Sequence, residues 1–536
     1  TLSASAYGIE MGAVNGQVYN SGSIDAQASV TGWAKNDISG FVYGIDTNSI
    51  AEGAILQNDG SVSASVMIDG WATDDEIYAS AWGMTIGTVN GTVVNNGSID
   101  VSASVAGTGS TGMGVWAYGI EMSAINATGA LSNSGSIAVE AMAQGYAETG
   151  TINAYAGGIV TGSSIDGTLM TSGSVDVTVM VDATASTGIY GYAEGISVNQ
   201  VNSGSVLSNS GTISATAQVE GILTTEFQSN DEQNPSFGER GWPGIYGTAA
   251  GLALYDVEGE VNNTGTISAT AQTSGLIAVD LDGELDFEGL DDDDRAYIAF
   301  IVPFLLQEGF GSSVSASIPL LYANATGVSV GDVEGELLNS GTIMASASAE
   351  GTAPFVIAEA VGLATDDVGI DGIVDNSGSI LADATAAAGS SALLLLANAG
   401  GMDLDVVDGT VTNSGQIEVT SSTSNEENSI VGGRADARGV TVNTVSGTGL
   451  VTNTGTISAT VSDSDLFAGF LDDEGIFFGP TSDFGFILPG ATGLAINTLD
   501  GELFNNGAIV TDYNGDVGLA VYVGGGTGSA EFETSS

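Results

Sequence analysis

Carboxylates are the residues of this sequence whose spacing could support a defined chemistry. An Asp or Glu precedes a recurring Gly in seven repeats, as at Glu258 and Glu334, and a second carboxylate follows that Gly at Glu260 and Glu336. A further alternating set stands at Asp280, Asp282, Glu284 and Asp286. Carboxylate oxygens are hard ligands of the kind that Ca²⁺ prefers. We therefore expect bound Ca²⁺ at these residues. The alternative left open is that the acidic side chains are simply solvated and serve solubility or salt tolerance.

Composition excludes several other chemistries. The 536-residue chain has 65 acidic and 5 basic residues, a net charge of −60, and such a surface repels nucleic acid and anionic lipid. His and Cys are both absent, which removes His acid–base catalysis, Cys nucleophiles, disulfides and the usual zinc, haem and iron–sulfur ligands. A hydrophobic content of 43% argues against a disordered acidic tail.

The sequence also argues against an enzyme and against a membrane-spanning chain. Carboxylates are so abundant that a close pair of them is no evidence of a catalytic acid and base. The few cations are too scattered along the chain to hold a substrate together. The longest apolar run, about 296–306, contains Pro303 and is shorter than the roughly 20 residues that a spanning helix needs. The chain begins at Thr1 in strand-like sequence without Met or a signal peptide, which favours a processed protein outside the cell or on its surface.

A repeat organises the chain. The motif Asn-x-Gly-Ser/Thr-Ile recurs twelve times at steps of mostly 37 or 38 residues. Its glycines are Gly22, Gly60, Gly97, Gly135, Gly173, Gly211, Gly265, Gly341, Gly378, Gly415, Gly455 and Gly507. Apolar residues alternate with polar ones on both sides of the motif, as at Ile24 and Ala26, and this period is typical of strands with one buried face. At the motif itself we expect a corner, where Gly accepts a positive φ.

Stacked repeats of this kind predict an all-β fold, a right-handed parallel β-solenoid (β-helix) of about 12 repeats of ~38 residues. We favour one coil per repeat over two coils of half that length, because a motif kept in every repeat is best explained if successive copies touch. Asn precedes the motif Gly by two positions in every copy except one, where Thr171 stands. These side chains are predicted to form an internal hydrogen-bonded ladder.

The solenoid is predicted to span residues 1–523, with loop insertions on one face near 226–242, 280–319, 420–437 and 463–489, and a tail at 524–536. One insertion is rich in Phe, and aromatic loops on a soluble rod favour subunit contacts. The candidate assembly residues are Phe470, Phe477, Phe478, Phe484 and Phe486, together with Phe532 in the tail. The alternative is that these loops fold back on their own solenoid. All four arginines, Arg240, Arg295, Arg434 and Arg438, fall in insertions and are expected to be paired within a loop or across a subunit boundary.

The repeat resembles the β-helical passenger regions of bacterial autotransporters and filamentous-haemagglutinin-type surface proteins. Segments such as Asn209 to Thr216 and Asn453 to Thr460 carry the resemblance, which covers nearly the whole chain. It implies secretion, a role in adhesion or matrix formation, and no catalysis. The chain departs from the autotransporters in that no series of amphipathic membrane-barrel strands follows the solenoid.

From these patterns we expect a structural subunit of an extracellular filament, sheath or surface layer. Such a homopolymer would assemble head to tail through the solenoid ends and the apolar loops, with the tail reaching a neighbouring copy. The alternative is a monomeric cell-surface adhesin passenger that binds a host or matrix ligand.

Overall fold

A computed structural model describes residues 1–226, 244–280, 320–389, 392, 394–425, 432–462, 490–513 and 518–532. Throughout these ranges the fold is all-β, and its strands form three parallel sheets that wind into a solenoid. No helix in the described part of the chain is long and apolar enough to cross a membrane. Strands are numbered in chain order.

Sheet A contains the longest strands and runs the length of the solenoid. Its 13 strands are β1 (Leu2–Val14), β4 (Ile38–Ile50), β7 (Glu76–Val89), β10 (Gly112–Ile125), β13 (Thr151–Ile165), β16 (Gly188–Val201), β19 (Gly244–Val257), β22 (Leu320–Val333), β25 (Phe355–Val368), β28 (Leu394–Val407), β31 (Gly432–Val445), β34 (Gly490–Leu499) and β37 (Leu519–Gly525).

Sheets B and C complete each coil. The 13 short strands of sheet B are β2 (Gln17–Asn20), β5 (Ile55–Asn58), β8 (Thr92–Asn95), β11 (Ala130–Asn133), β14 (Thr168–Thr171), β17 (Val206–Asn209), β20 (Glu260–Asn263), β23 (Glu336–Asn339), β26 (Ile373–Asn376), β29 (Thr410–Asn413), β32 (Leu450–Asn453), β35 (Glu502–Asn505) and β38 (Ser529–Phe532). The 12 strands of sheet C are β3 (Ser23–Ala34), β6 (Ser61–Ala72), β9 (Ser98–Gly109), β12 (Ser136–Ala147), β15 (Ser174–Ala185), β18 (Thr212–Glu226), β21 (Thr266–Asp280), β24 (Thr342–Thr352), β27 (Ser379–Ala388), β30 (Gln416–Asn425), β33 (Thr456–Ser462) and β36 (Ala508–Tyr513).

One repeat makes one coil of three strands. Leu2 is the register partner of Ile38, and Ser23 is the partner of Ser61, so successive coils are stacked in register by residues about one repeat apart. Strand counts of 13, 13 and 12 in the three sheets give twelve complete coils and two strands of a thirteenth. The solenoid of about 12 repeats, with one coil rather than two in each, is thereby confirmed.

Alternation along each strand builds the core. In β6 the inward side chains Val62, Ala64, Val66 and Ile68 are fully buried, while the residues between them face outward. Small residues keep the opposing sheets close together. A Cβ on Gly40 of sheet A would lie 2.4 Å from Val66 Cγ2 of sheet C, so this position has no room for a side chain.

The Gly of the repeat motif is required by close stacking rather than by its φ angle. A Cβ on Gly97 would lie 1.9 Å from the carbonyl oxygen of Gly60, the equivalent residue of the preceding coil. None of the twelve motif glycines is among the described glycines with positive φ. The expected corner between sheets B and C exists, but the motif Gly is needed there because the neighbouring backbones are in contact, and the predicted positive φ is not observed.

The predicted ladder of Asn side chains is confirmed. Each Nδ2 donates to the Oδ1 of the next coil across nine links of 2.7 to 2.8 Å, from Asn20 to Asn58 at one end and from Asn453 to Asn505 at the other. At the position without Asn, Asn133 Nδ2 donates instead to Thr171 Oγ1 at 3.2 Å. Most of these side chains are fully buried. The amides therefore satisfy one another inside the core, where an unpaired polar group would be costly.

Two predicted boundaries change. Residues 420–425 belong to β30 and residues 432–437 to β31, so this predicted insertion is mostly strand. At the other boundary, β37 continues to Gly525 and β38 pairs in parallel with β35. Gly526, with a φ of 123°, lets the chain pass from sheet A to sheet B. The solenoid thus continues past 523, through part of the predicted tail.

Candidate functional surfaces

The predicted calcium ligands Glu258, Glu260, Glu334 and Glu336 lie at the corner between sheets A and B. Glu260 and Glu336 are register partners on neighbouring strands, and Glu258 and Glu334 occupy equivalent positions before their glycines. Their side chains are partly or fully exposed to solvent. Gln200 Nε2 donates to Glu258 Oε1 at 3.2 Å. The structure therefore places these four carboxylates in two adjacent columns on the outside of the solenoid.

These columns do not form a closed metal site among the residues that the structure describes. No group of three or more Asp or Glu residues in those ranges is arranged to hold a metal ion. Asp280 is the last residue of β21, and Asp282, Glu284 and Asp286 lie outside the described residues. Nearby, burial raises the pKa of Asp256, and the charges of Asp332 and Glu258 raise it further. Calcium remains a prediction, while mutual repulsion of the carboxylates is a feature of this corner.

The described cations are paired within the chain. Lys35 Nζ lies 3.5 Å from Asp74 Oδ2 on the surface. On β31, Asp436 Oδ2 lies 2.6 Å from Arg434 Nε and 3.9 Å from Arg438 Nη2, and Asp436 Oδ1 accepts a hydrogen bond from the Gly490 amide at 3.0 Å. Arg240 and Arg295 lie outside the described residues. Both described arginines thus neutralise a carboxylate that is almost completely buried.

The aromatic assembly residues fall mostly beyond the described ranges. Phe470, Phe477, Phe478, Phe484 and Phe486 all lie outside them. Phe532 is the last residue of β38, where it pairs with Asn505 in register and its side chain is 47% exposed. Its position in a paired strand differs from the free tail that the sequence predicts.

A ladder of aromatic rings on the outer face of sheet A was missed by the sequence analysis. Ring centroids of Tyr7 and Tyr43 are 4.9 Å apart, those of Tyr43 and Trp82 are 4.5 Å apart, and those of Trp82 and Tyr118 are 5.8 Å apart. The rings of each pair are parallel within about 10°. Burial raises the pKa of Tyr118 to about 12. Because the rings cover one another's faces, this ladder strengthens coil-to-coil contacts and offers a ligand mainly ring edges.

The outer face of sheet C carries a shallow groove of about 320 Å³ across four coils. It is lined by Met142, Gln144, Met180, Val181, Asp182, Gln218, Val219, Glu220, Gln272 and Ser274. A column of large exposed side chains on the same face, the apolar rail, consists of Trp33, Trp71, Tyr146, Ile222 and Leu276. Tyr146, Ile222 and Leu276 lie beside the groove, and Trp33 and Trp71 continue the column in the first two coils, beyond the end of the groove. Thr108 and Thr184 occupy rail positions in the intervening coils. A signal for the rail exists in the sequence, because a Gly precedes each of these five residues.

No protein-family model, curated protein or solved structure matches this chain. The likeness to autotransporter and haemagglutinin-type passenger regions accordingly remains a resemblance of the repeat motif.

Proposed function

We propose that this chain is a structural subunit of an extracellular filament, sheath or surface layer, and that it acts without catalysis. The observation that supports this proposal is the state of the core at the first and last coils that the structure describes. Leu2, Ala4 and Ala6 of β1 point toward the core but are only partly buried, whereas their register partners in inner coils are fully buried. At the opposite end Ile509, Tyr513 and Val521 are likewise only partly buried.

Head-to-tail contact between two copies would bury these residues. The strands β1, β2 and β3 stand at the edges of their sheets and pair within the chain on one side only. An edge strand presents a row of backbone N–H and C=O groups to a further strand. The last strand of each sheet in one copy can therefore continue into the first strand of the next copy. A contact between two different surfaces propagates as a fibre instead of closing into a dimer.

The solenoid is suited to a load-bearing element because each coil is tied to the next by several independent contacts. Backbone pairing, the Asn ladder and the aromatic ladder all run along the same axis. At about 4.8 Å per coil the described solenoid is a rod of roughly 60 Å. The extracellular location is supported by the resemblance of the repeat to secreted passenger regions.

Sedimentation velocity and negative-stain microscopy of the 536-residue chain test the proposal. We expect rods longer than 60 Å, at multiples of about that length, that increase with protein concentration. Ala6→Lys places a charge at an inward position of the edge strand β1 and should abolish elongation. Ser5→Lys, one residue earlier and exposed, is the matched control and should not. Isolated rods of single length at every concentration would instead favour the monomeric adhesin.

A further inference from the structure

The outer face of sheet C has the chemistry of a binding surface, in contrast to that of sheet A. Trp33 is 62% exposed and Trp71 is 57% exposed, and these are among the largest apolar side chains in the protein. Leaving such side chains in water forgoes the free energy that their burial would release. Exposed apolar side chains that line up in a column, with polar residues beside them, mark interaction sites more often than isolated ones do.

Strand register fixes the spacing of the apolar rail. Trp33 pairs with Trp71 in the adjacent coil, and further along the same column Ile222 pairs with Leu276. Coils follow one another at about 4.8 Å, so the rail is a line of apolar contacts that repeats along the solenoid axis. A ligand that uses the whole rail must be a long molecule with a repeat of its own, lying across the strands.

The groove beside the rail offers polar groups that suit hydroxyls. Gln144, Gln218 and Gln272 supply amide donors and acceptors, and Asp182 and Glu220 supply carboxylate acceptors. Gln218 Nε2 donates to Gln272 Oε1 at 3.3 Å, which orients these two amides along the same line. Among the described residues that line the groove none is cationic. A hydroxyl both donates and accepts a hydrogen bond, so it can use amides and carboxylates alike.

Charge decides between the possible occupants. The groove carboxylates and the net charge of −60 disfavour an anionic polymer. They also disfavour a second copy of this chain on the same face, because Asp182 and Glu220 would meet further carboxylates at low dielectric. A neutral molecule pays no such cost. The C–H faces of a pyranose ring carry partial positive charge and pack on the negative face of an aromatic ring.

We propose that the outer face of sheet C binds a neutral polysaccharide that lies along the solenoid axis. Its sugar rings pack on Trp33, Trp71 and Tyr146 of the apolar rail, and its hydroxyls bond to the amides and carboxylates of the groove. This function is separate from head-to-tail assembly, because the residues involved face outward on the side of the rod, and of the three aromatic residues only Trp33, in β3, belongs to an end coil.

Affinity electrophoresis in native gels tests the inference with defined probes. Hydroxyethylcellulose, laminarin and dextran are the neutral polymers, and polygalacturonate is the anionic control. We expect at least one neutral polymer to retard the protein and polygalacturonate to leave it unaffected. The double variant Trp33→Ala/Trp71→Ala should weaken the retardation by at least about tenfold. Tyr255→Ala removes an aromatic ring that is 72% exposed on sheet A and should leave it unchanged.

Three results would overturn the inference: no retardation by any of the neutral polymers, equal retardation by polygalacturonate, or equal weakening by Tyr255→Ala. Circular dichroism of each variant shows whether the fold is kept. If the tryptophan variant loses concentration-dependent elongation and binds glycan normally, the rail is an interface between copies instead. Sedimentation of Ala6→Lys, whose groove is intact, keeps the test of assembly separate from the test of glycan binding.

Discussion

Replacing Asn376 by Leu removes one link of the Asn ladder while keeping the branching of the side chain. Asn376 Oδ1 accepts from Asn339 Nδ2 at 2.7 Å, and Asn376 Nδ2 donates to Asn413 Oδ1 at 2.7 Å, with all three side chains buried. Leu leaves one donor and one acceptor without partners. A buried polar group without a partner costs about 1–3 kcal/mol, so we expect the free energy of unfolding to fall by about 2–6 kcal/mol.

The chain supplies its own control for this experiment. At the ladder position of β14, Thr171 accepts from Asn133 at 3.2 Å and is itself buried. Asn376→Thr should therefore keep an acceptor for Asn339 and cost clearly less than the Leu variant. Asp375→Ala, at the outward neighbouring position of the same strand, should change stability by no more than about 0.5 kcal/mol.

Urea unfolding followed by circular dichroism measures the loss, and Trp fluorescence shows where it occurs. Four of the five tryptophans, Trp33, Trp71, Trp82 and Trp116, lie in the first four coils, Trp242 lies outside the described residues, and Asn376 lies in the ninth coil. Coils contact mainly their neighbours, so the fluorescence transition should move less than the circular dichroism transition. If Leu and Thr at 376 lowered stability equally, or if Leu cost no more than Asp375→Ala, the ladder would contribute no hydrogen-bond energy and our reasoning would be refuted.

Three further predictions concern the coil contacts and the carboxylates. Gly145 has a φ of 138°, and a Cβ there would lie 1.9 Å from the carbonyl oxygen of Gly107. Gly145→Ala should therefore lower the free energy of unfolding, measured in urea, by at least about 1–3 kcal/mol. Gly12→Ala is the control and should not lower it, because no atom lies within 4 Å of a Cβ at that position. Burial raises the pKa of Asp256 in the folded state above its usual value of 3.8, so the native protein binds that proton more tightly than the unfolded chain does. The melting temperature should therefore rise as the pH falls through the folded-state pKa of Asp256 toward 3.8, and Asp256→Asn should make that slope shallower. If Glu260 and Glu336 bind Ca²⁺, EGTA at fixed ionic strength should lower the melting temperature and added Ca²⁺ should restore it. The melting temperature of the double variant Glu260→Gln/Glu336→Gln should respond to neither. A melting curve of the unaltered protein that EGTA does not change would leave only general screening of these carboxylates by salt.

The sequence was informative wherever the same residue type recurs in every repeat. The motif Gly and Asn recur at nearly constant spacing, and alternation around Ile24 and Ala26 separates inward from outward positions, so the coil and the ladder could be predicted. Neither signal divides a repeat into three sheets. The division depends on corners such as that at Gly204, between β16 of sheet A and β17 of sheet B, where the backbone adopts a φ of 83° that the sequence does not display.

Surface columns were harder to predict because register between coils decides which outward residues meet. Tyr118 is the register partner of Gly157, whereas Tyr155 is opposite Trp116, yet the rings of Tyr118 and Tyr155 remain 5.3 Å apart. The aromatic ladder therefore shifts by two residues between these coils, and a search for a fixed spacing misses it. The carboxylate columns at Glu260 and Glu336 follow the corner glycine directly and were correctly aligned.

The Asn ladder also gives the rod a chemical direction. Along nine of its links the amide nitrogen points toward the later coil and the carbonyl oxygen toward the earlier one, from Asn20 Nδ2 toward Asn58 through to Asn453 Nδ2 toward Asn505. The rod thus presents acceptors in one direction and donors in the other, in parallel with its sheets. Two rods that meet with opposite orientations would oppose donor to donor or acceptor to acceptor. Any polymer that continues the ladder must therefore be polar, with two chemically distinct ends at which subunits add at different rates.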